Sequence, residues 1–178
     1  MSTGATTEVA VGMPTGLPPG RIVIGIGEFA VAGPEATIVT HALGSCVAVC
    51  LWDAEAQVGA MLHFLLPESR VNPERAKKQP ATFADTGIPL LIQMAMQKGL
   101  NKKRCKAHLL GGAAVGVQNG LDVGKRNALA ARRILWQQGI FISSEALGGS
   151  EPRTVNFTVG DGQVQVSHAR ETSSGAAR

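Results

Sequence analysis

The sequence predicts an α+β fold, in which layers of packed mixed β-sheets form the core and helices flank them. Short β-branched and apolar runs outnumber segments of helical period by roughly seven to two. Two runs in the middle of the chain are almost continuously apolar and are separated by a short polar segment. The 178 residues are 44% hydrophobic and 17% charged, so one domain can bury a core without a disulfide or a metal.

The two ends of the chain differ in composition from its middle. Residues 1–20 place glycines and prolines among small polar residues, and residues 171–178 are similarly poor in apolar side chains. Both segments are predicted to be flexible tails. One folded domain is therefore expected over residues 21–170.

The first predicted strands are Arg21–Gly27 and Thr37–Thr40. The apolar runs Cys46–Trp52 and Val58–Leu66 flank the polar segment Asp53–Gln57, which predicts a β-hairpin. Because neither run alternates with polar residues, both faces of the hairpin are expected to be covered. The hairpin is therefore placed at the centre of a sheet.

The second half of the chain contributes the predicted helices. Its elements are, in order, a long surface loop over residues 67–82, a helix from Asp85 or Thr86 to the terminating Gly99, a strand Lys106–Leu110, a helix Gly124–Gln138, a strand Ile140–Ser144 and a hairpin over residues 153–166 that turns at Gly160–Gly162. The alternation of valines and Phe157 in the last hairpin is typical of strands with one buried face.

Composition and charge narrow the function classes. There are 17 Lys plus Arg against 13 Asp plus Glu, a net charge of +4, and 4% aromatic residues with no Tyr. Nucleic-acid binding is not expected from so mild an excess with so few stacking side chains. The three cysteines form no CxxC pair, and no signal peptide or bilayer-spanning apolar stretch is evident. The chain is accordingly expected to be cytoplasmic, reduced and not inserted in a membrane.

Two glycine motifs and the potential metal ligands do not support a cofactor site. Gly25–Ala30 fits G-x-G-x-x-A, but Gly33-Pro34 follows too soon for a crossover helix, so a strand end is favoured. Gly111–Gly116 has phosphate-loop spacing without the following Lys and Ser or Thr. Four His and three Cys show no metal-binding spacing. No cofactor and no metal is expected.

The segment that ends at Cys46 and the later His63 are the remaining candidates for chemistry. A four-residue loop Asp53–Ala56 pairs Trp52 with Gln57 and sets Cys46 directly opposite His63, with Cβ atoms ~4.5–5.5 Å apart. A five-residue loop instead puts the two side chains on opposite faces of the sheet. Spacing leaves both registers open, and by itself it favours a core cysteine with a satisfied histidine.

The chemistry available to a Cys46–His63 pair is well defined. An imidazolium beside the thiol favours the thiolate, and the same imidazole later protonates a leaving amine. The Thr40 hydroxyl is a candidate to orient the ring, since the following turn brings it back toward the site. Gly44 lets the backbone approach a ligand closely. The N–H groups of Ser45 and Cys46 are candidate oxyanion donors.

Six blocks of residues resemble, in order, the CheD family of chemotaxis receptor glutamine deamidases. They are Thr40-x-x-Leu43-Gly-Ser-Cys46-Val47, His63-Phe-x-Leu-Pro67, Phe83-x-Asp85-Thr86, Gly111-Gly-Ala113, Gly124-x-x-Asn127 and Gly148-Gly149 with Arg153. The resemblance spans about Ile24 to His168. It favours the catalytic interpretation of Cys46 and His63 over the core interpretation.

The resemblance implies a cysteine hydrolase with a fold similar to the cytotoxic necrotising factor toxins. Cys46 is then the nucleophile, His63 the base and later the acid, and Thr40 the residue that orients His63. The implied substrates are selected Gln side chains on the helical cytoplasmic rods of methyl-accepting chemoreceptors, converted to Glu and ammonia through a thioester. The implied partner is a phosphatase of the CheC type.

Two other functions stay open beside this one. The first is a non-catalytic binding module that regulates a phosphatase partner, and the second is another cysteine hydrolase, for example a transglutaminase-like enzyme. His41 is a rival base because it lies close to the cysteine in sequence, but it precedes the turn. The presence of all three triad residues favours chemistry.

Overall fold

A computed structural model describes residues 19–115 and 122–168 of the chain. The predicted tails therefore lie almost wholly outside the described residues, as does Gly116 at the end of the second glycine motif. The first strand already begins at Gly20, one residue before the predicted start of the domain.

The described residues form nine strands and three α-helices. The strands are β1 Gly20–Ile24, β2 Glu28–Ala32, β3 Ala36–Leu43, β4 Val47–Asp53, β5 Val58–Phe64, β6 Lys106–Gly111, β7 Phe141–Leu147, β8 Arg153–Thr158 and β9 Gln163–His168. The helices are α1 Pro73–Lys78, α2 Ala84–Gln97 and α3 Val123–Gln137.

The strands make two mixed sheets, as the α+β prediction expects. One has the order β1-β3-β8-β9 and the other β2-β5-β4-β6-β7. Each contains a single parallel pair, β1 with β3 and β6 with β7, and the remaining neighbours are antiparallel. The β4–β5 hairpin lies inside the five-stranded sheet, so its predicted central position is confirmed.

The five-stranded sheet is covered on both faces. On β4, Ala48 and Cys50 belong to a core that faces the other sheet. Val47, Val49 and Leu51 belong to a second core together with the buried faces of α2 and α3. Because every second residue enters a different core, both faces of β4 demand apolar side chains, which explains its unbroken hydrophobic run.

The long loop predicted over residues 67–82 contains regular structure. Helix α1 begins at Pro73, and the side chain of Asn72 caps it by accepting a hydrogen bond from the Arg75 N–H at 3.0 Å. Short 3₁₀ turns precede and follow this helix. Helix α1 buries no residue, so hydrophobic periodicity gave no sign of it.

Strand β2 was not predicted as a separate element. The chain turns between β1 and β2, and Glu28–Ala32 then pairs antiparallel with β5. The motif Gly25–Ala30 is therefore a turn followed by a strand. The absence of a dinucleotide-binding helix at this place, predicted from the sequence, is confirmed.

Candidate active site

Cys46 lies immediately before β4, at the end of the turn that leaves β3. Its carbonyl accepts a hydrogen bond from the Gly112 N–H at 2.8 Å, and the carbonyl of Gly44 accepts one from Ala113 at 2.9 Å. Cys46 is 6% exposed, whereas Gly44 and Ser45 are only partly buried. The thiol therefore sits just inside the surface, at the edge where solvent reaches the turn.

The register of the β4–β5 hairpin differs from both predicted registers. Asp53 pairs with Val58 and Ala48 pairs with His63, so the loop is shifted one residue along the chain. Extending the ladder by one step places Cys46 opposite Leu65 rather than opposite His63. Since His63 is two residues from Leu65, Cys46 and His63 share a face as diagonal neighbours, a separation of ~7–8 Å or less between Cβ atoms. Neither of the two predicted registers is therefore observed, but the two side chains share a face, as the four-residue-loop alternative expected.

His63 reaches across the interface between the two sheets to Thr40. The Thr40 hydroxyl lies 2.8 Å from Nδ1 of His63 and 2.9 Å from the carbonyl of Ile24. The hydroxyl has one proton, which it donates to the Ile24 carbonyl, so its oxygen accepts from Nδ1–H. Nε2 of His63 then carries the lone pair. This nitrogen is buried and has no partner among the described residues.

Burial keeps both members of the pair neutral before substrate binds. Desolvation raises the pKa of Cys46, although its own backbone N–H acts in the opposite direction. Desolvation lowers the pKa of His63 to about 4, opposed by the carboxylate of Glu28. A thiol and a neutral imidazole are thus favoured over the thiolate–imidazolium pair expected from the sequence.

The turn before Cys46 is fixed through its carbonyl groups. Besides the bonds to Gly44 and Cys46, the carbonyl of Ser45 accepts from Nδ2 of Asn127 at 3.0 Å. Within residues 19–115 and 122–168, no carbonyl accepts a hydrogen bond from the N–H of Ser45 or Cys46. The two N–H groups, which bond to no described carbonyl, thus lie among three held carbonyls, and this arrangement is able to donate to an anion.

Glu28 and Asn127 are two residues near the site whose positions the sequence did not reveal. Glu28 is exposed on β2 and pairs with His63, on the same face of the sheet. Asn127 is fully buried on α3 and also donates to the carbonyl of Leu65 at 2.9 Å. The Gly124-x-x-Asn127 spacing marked Asn127 as part of a motif, but spacing shows no contact with a distant strand.

The other candidates lie away from this site. His41 is exposed, and its Nδ1 lies 3.4 Å from the hydroxyl of Thr154, so it faces away from Thr40. Cys50 is on the same face as Cys46 but fully buried, and burial raises its pKa steeply. Cys105 is buried in the core between the sheet and the helices.

In the described part of the chain, no three His, Cys, Asp or Glu side chains lie close enough together to bind a metal ion. The helices described are too short or too polar for any of them to cross a bilayer.

Comparison with known proteins adds the family. The model of a family described as CheD chemotactic sensory transduction matches residues 65–168. A probable chemoreceptor glutamine deamidase CheD from Solibacter usitatus is 42% identical over 146 residues, which cover 81% of this chain and 86% of that protein. A second probable chemoreceptor glutamine deamidase CheD, from Anaeromyxobacter dehalogenans, is 45% identical over 147 residues, which cover 82% of this chain and 92% of that protein.

A chemoreceptor glutamine deamidase CheD from Thermotoga maritima is 38% identical over 144 residues, covering 81% of this chain and 89% of that protein. Among solved structures, a Neisseria meningitidis protein matches with a TM-score of 0.41 and 14% identity over 74% of this chain and 63% of its own, which is too distant to indicate a function. The family model matches more than half of the chain, and each of these relatives is at least 38% identical over more than two thirds of it. The chain belongs to the CheD family.

Proposed function

We propose that this chain is a cysteine-dependent protein-glutamine deamidase that converts selected Gln side chains of chemoreceptor cytoplasmic helices to Glu and ammonia. Membership of the CheD family and the activity for which the relatives are named support the reaction class. One structural observation carries the mechanism. The Thr40 bond to Nδ1 leaves Nε2 of His63 as a base on the face of the sheet that also holds Cys46.

The first half of the reaction transfers the acyl group to sulfur. Nε2 of His63 takes the thiol proton of Cys46 as Sγ attacks the amide carbon of the bound Gln. The carbonyl oxygen becomes an anion, which the N–H groups of Ser45 and Cys46 stabilise. The imidazolium returns its proton to the nitrogen, the C–N bond breaks, and ammonia leaves a γ-glutamyl thioester on Cys46.

The second half releases the product with water. His63 takes a proton from water as the oxygen attacks the thioester carbon, and the same oxyanion donors act again. The C–S bond breaks, Cys46 regains its proton from His63, and Glu is released. A glutamyl methyl ester would pass through the same thioester, and we propose methanol release from such esters as a second reaction of this site.

The decisive experiment measures ammonia release and the mass gain of about one dalton in a receptor cytoplasmic fragment, as expected for amide hydrolysis. Cys46→Ala should lower the rate by about 10³-fold or more, because the thioester then has no sulfur to form on: Cys50, on the same face, is fully buried. Ammonia release unchanged in Cys46→Ala refutes the assignment of the nucleophile.

Cys50→Ala is the matched control. Cys50 lies on β4, four residues after Cys46 and on the same face, but it is fully buried. This variant should keep its activity to within a few-fold when folded. If wild type, Cys46→Ala and Cys50→Ala all release no ammonia while the protein still binds the receptor fragment, the binding-module interpretation replaces the enzyme.

Two further parts of the proposal rest on the resemblance to the CheD family. A CheC-type phosphatase is proposed as the partner, and the cytoplasm as the location, where the receptor helices are. Addition of a CheC-type protein should slow ammonia release in proportion to complex formation measured by gel filtration. If a complex forms but ammonia release is not slowed, the CheC-type protein does not inhibit the enzyme as proposed. If no complex forms at micromolar concentration, the proposed partner is wrong.

A further inference from the structure

The side-chain amide of Asn127 joins the two strands that carry the proposed nucleophile and base. Nδ2 donates to the carbonyl of Ser45 at 3.0 Å and to that of Leu65 at 2.9 Å. Ser45 directly precedes Cys46, and Leu65 directly follows β5, two residues after His63. Both amide protons point at carbonyl oxygens, and this fixes the orientation of the amide. If the amide were flipped, its Oδ1 would face the carbonyl oxygens of Ser45 and Leu65, and no hydrogen bond could form.

The close packing of α3 brings Asn127 to this position. A Cβ on Gly124 would lie 2.5 Å from the carbonyl oxygen of Gly112 and 2.6 Å from that of Ala113, so the first turn of α3 rests on this backbone. The N–H groups of Gly112 and Ala113 in turn hold the carbonyls of Cys46 and Gly44. The start of α3, this segment and the turn before Cys46 therefore form one braced unit.

The peptide between Ser45 and Cys46 transmits the effect of Asn127 to the site. A trans peptide is planar, so its C=O and N–H point in opposite directions. Because Asn127 holds the Ser45 carbonyl toward α3, the N–H of Cys46 is turned away from α3. From these contacts we infer that Asn127 is a positioning residue, which aims the Cys46 N–H as an oxyanion donor and fixes the nucleophile strand against the strand of His63.

This inference rests on the proposed deamidase function, and its effect should appear in the chemical step. Loss of one aimed oxyanion donor typically lowers kcat by 10²- to 10³-fold. Asn127→Ala is expected to lower kcat for ammonia release by about 10²-fold while KM changes by no more than about twofold, because Asn127 is buried beneath the turn and has no exposed surface for substrate.

The matched control is Ile134→Ala on the same helix. Ile134 is 6% exposed and packs in the core between α3 and the sheet without a hydrogen bond to the site. It should lower thermal stability yet keep kcat within about threefold of wild type. A loss in Asn127→Ala no greater than in Ile134→Ala overturns the inference. If Asn127→Ala does not fold, Asn127→Leu keeps the side-chain volume without the donors and is judged by the same criterion.

A second measurement is independent of any substrate. The pH dependence of Cys46 alkylation by iodoacetamide, followed by peptide mass mapping, reports the thiolate at this position. Freed from Asn127, the Cys46 N–H loses its alignment with the sulfur, so the midpoint in Asn127→Ala should rise by about half a pH unit or more and stay unchanged in Ile134→Ala. If the wild-type protein releases no ammonia, the proposed function fails, and only the alkylation midpoint then tests the role of Asn127. A higher midpoint in Asn127→Ala supports that role, and an unchanged midpoint overturns it.

Discussion

His63 is a histidine whose folded environment disfavours its charge. It is 1% exposed, and burial lowers its pKa to about 4, against the opposing effect of Glu28. In the unfolded chain the pKa is ~6.5. Between these two pKa values the unfolded chain binds a proton at His63 and the folded protein does not, so protonation favours unfolding. The free energy of unfolding is therefore unaffected by His63 above pH ~6.5 and decreases as the pH falls toward 4.

The free energy of unfolding should therefore fall by ~2 kcal/mol between pH 7.5 and pH 5 on account of His63. Urea titrations at the two pH values measure it. The carboxylates with lowered pKa values, Asp53 and Glu145, titrate below this window.

In His63→Gln, most of this pH dependence should disappear, with a remainder from His108, whose pKa burial also lowers. An equal loss of stability in wild type and His63→Gln would place the titrating group elsewhere. The substitution should also abolish ammonia release, since Gln supplies no base.

At the residue scale, the sequence was sufficient to select Thr40, Cys46 and His63 but not to predict the protonation states of Cys46 and His63. Thr40 was a candidate because of the turn that follows it, and the family resemblance implied its role of orienting His63. Local patterns did not show that Thr40 and His63 lie in different sheets. The neutral state of Cys46 and His63 was missed for a related reason. It depends on burial between two sheets, which the spacing of the two residues does not show.

At the level of elements, the end of β6 must pass very close to the turn before Cys46. Gly111 has φ +99°, and a Cβ there would lie 2.4 Å from the carbonyl oxygen of Cys46 and 2.7 Å from Leu43. Gly111→Ala should cost about 3 kcal/mol or more of stability and lower kcat at least tenfold, because the clash displaces the carbonyl of Cys46, the proposed nucleophile. Urea unfolding and the ammonia assay measure the two effects.

Gly99→Ala is the control for backbone strain. Gly99, which follows α2, has a similar φ of +106°, but a Cβ there would meet nothing within 4 Å. It should cost only ~1–2 kcal/mol, from the left-handed conformation alone, and leave kcat unchanged. Equal losses in the two variants would mean that the contact between Gly111 and Cys46 has no importance of its own.

The β4–β5 hairpin shows what sequence patterns predict for an element and what they do not. Its two strands and its central position follow from hydrophobic patterns. The register does not, and with it the question of whether Cys46 and His63 share a face stayed open until the structure. Asp53 joins the ladder because its carboxylate accepts hydrogen bonds from the turn N–H of Ala56, from Asn101 and from Arg104. Asn101 and Arg104 lie about fifty residues away along the chain, so they left no local signal for the loop boundary.

At the scale of the whole molecule, the proposed site exists only when the two sheets are packed together. Thr40 belongs to the four-stranded sheet, whereas Cys46 and His63 belong to or adjoin the five-stranded one. At the other end of β4, Nε1 of Trp52 donates to the carbonyl of Val159 at 2.8 Å. The hairpin is thus bonded to the opposing sheet near both of its ends, and separation of the sheets at one end should be coupled to separation at the other.

Trp52 makes this coupling measurable. The chain has two tryptophans, and Trp136 is 80% exposed, so Trp136→Phe should change stability by less than about 0.5 kcal/mol and leave Trp52 as the single reporter. Urea unfolding of this variant can be followed in three ways: by Trp52 fluorescence, by far-ultraviolet circular dichroism and by the rate of Cys46 alkylation. The three unfolding midpoints should coincide, because a single cooperative transition breaks both bonds between the sheets.

Trp52 also packs against the turn between β8 and β9, where a Cβ on Gly162 would lie 2.4 Å from its ring. Gly162→Ala should therefore lower all three midpoints together, although the substitution is at the end of the sandwich opposite to Cys46. If Trp52 fluorescence instead changes at lower urea while Cys46 stays protected from alkylation, the two ends of the sandwich open independently, and the catalytic end owes its geometry to the Thr40–His63 bond and the brace around Asn127 alone.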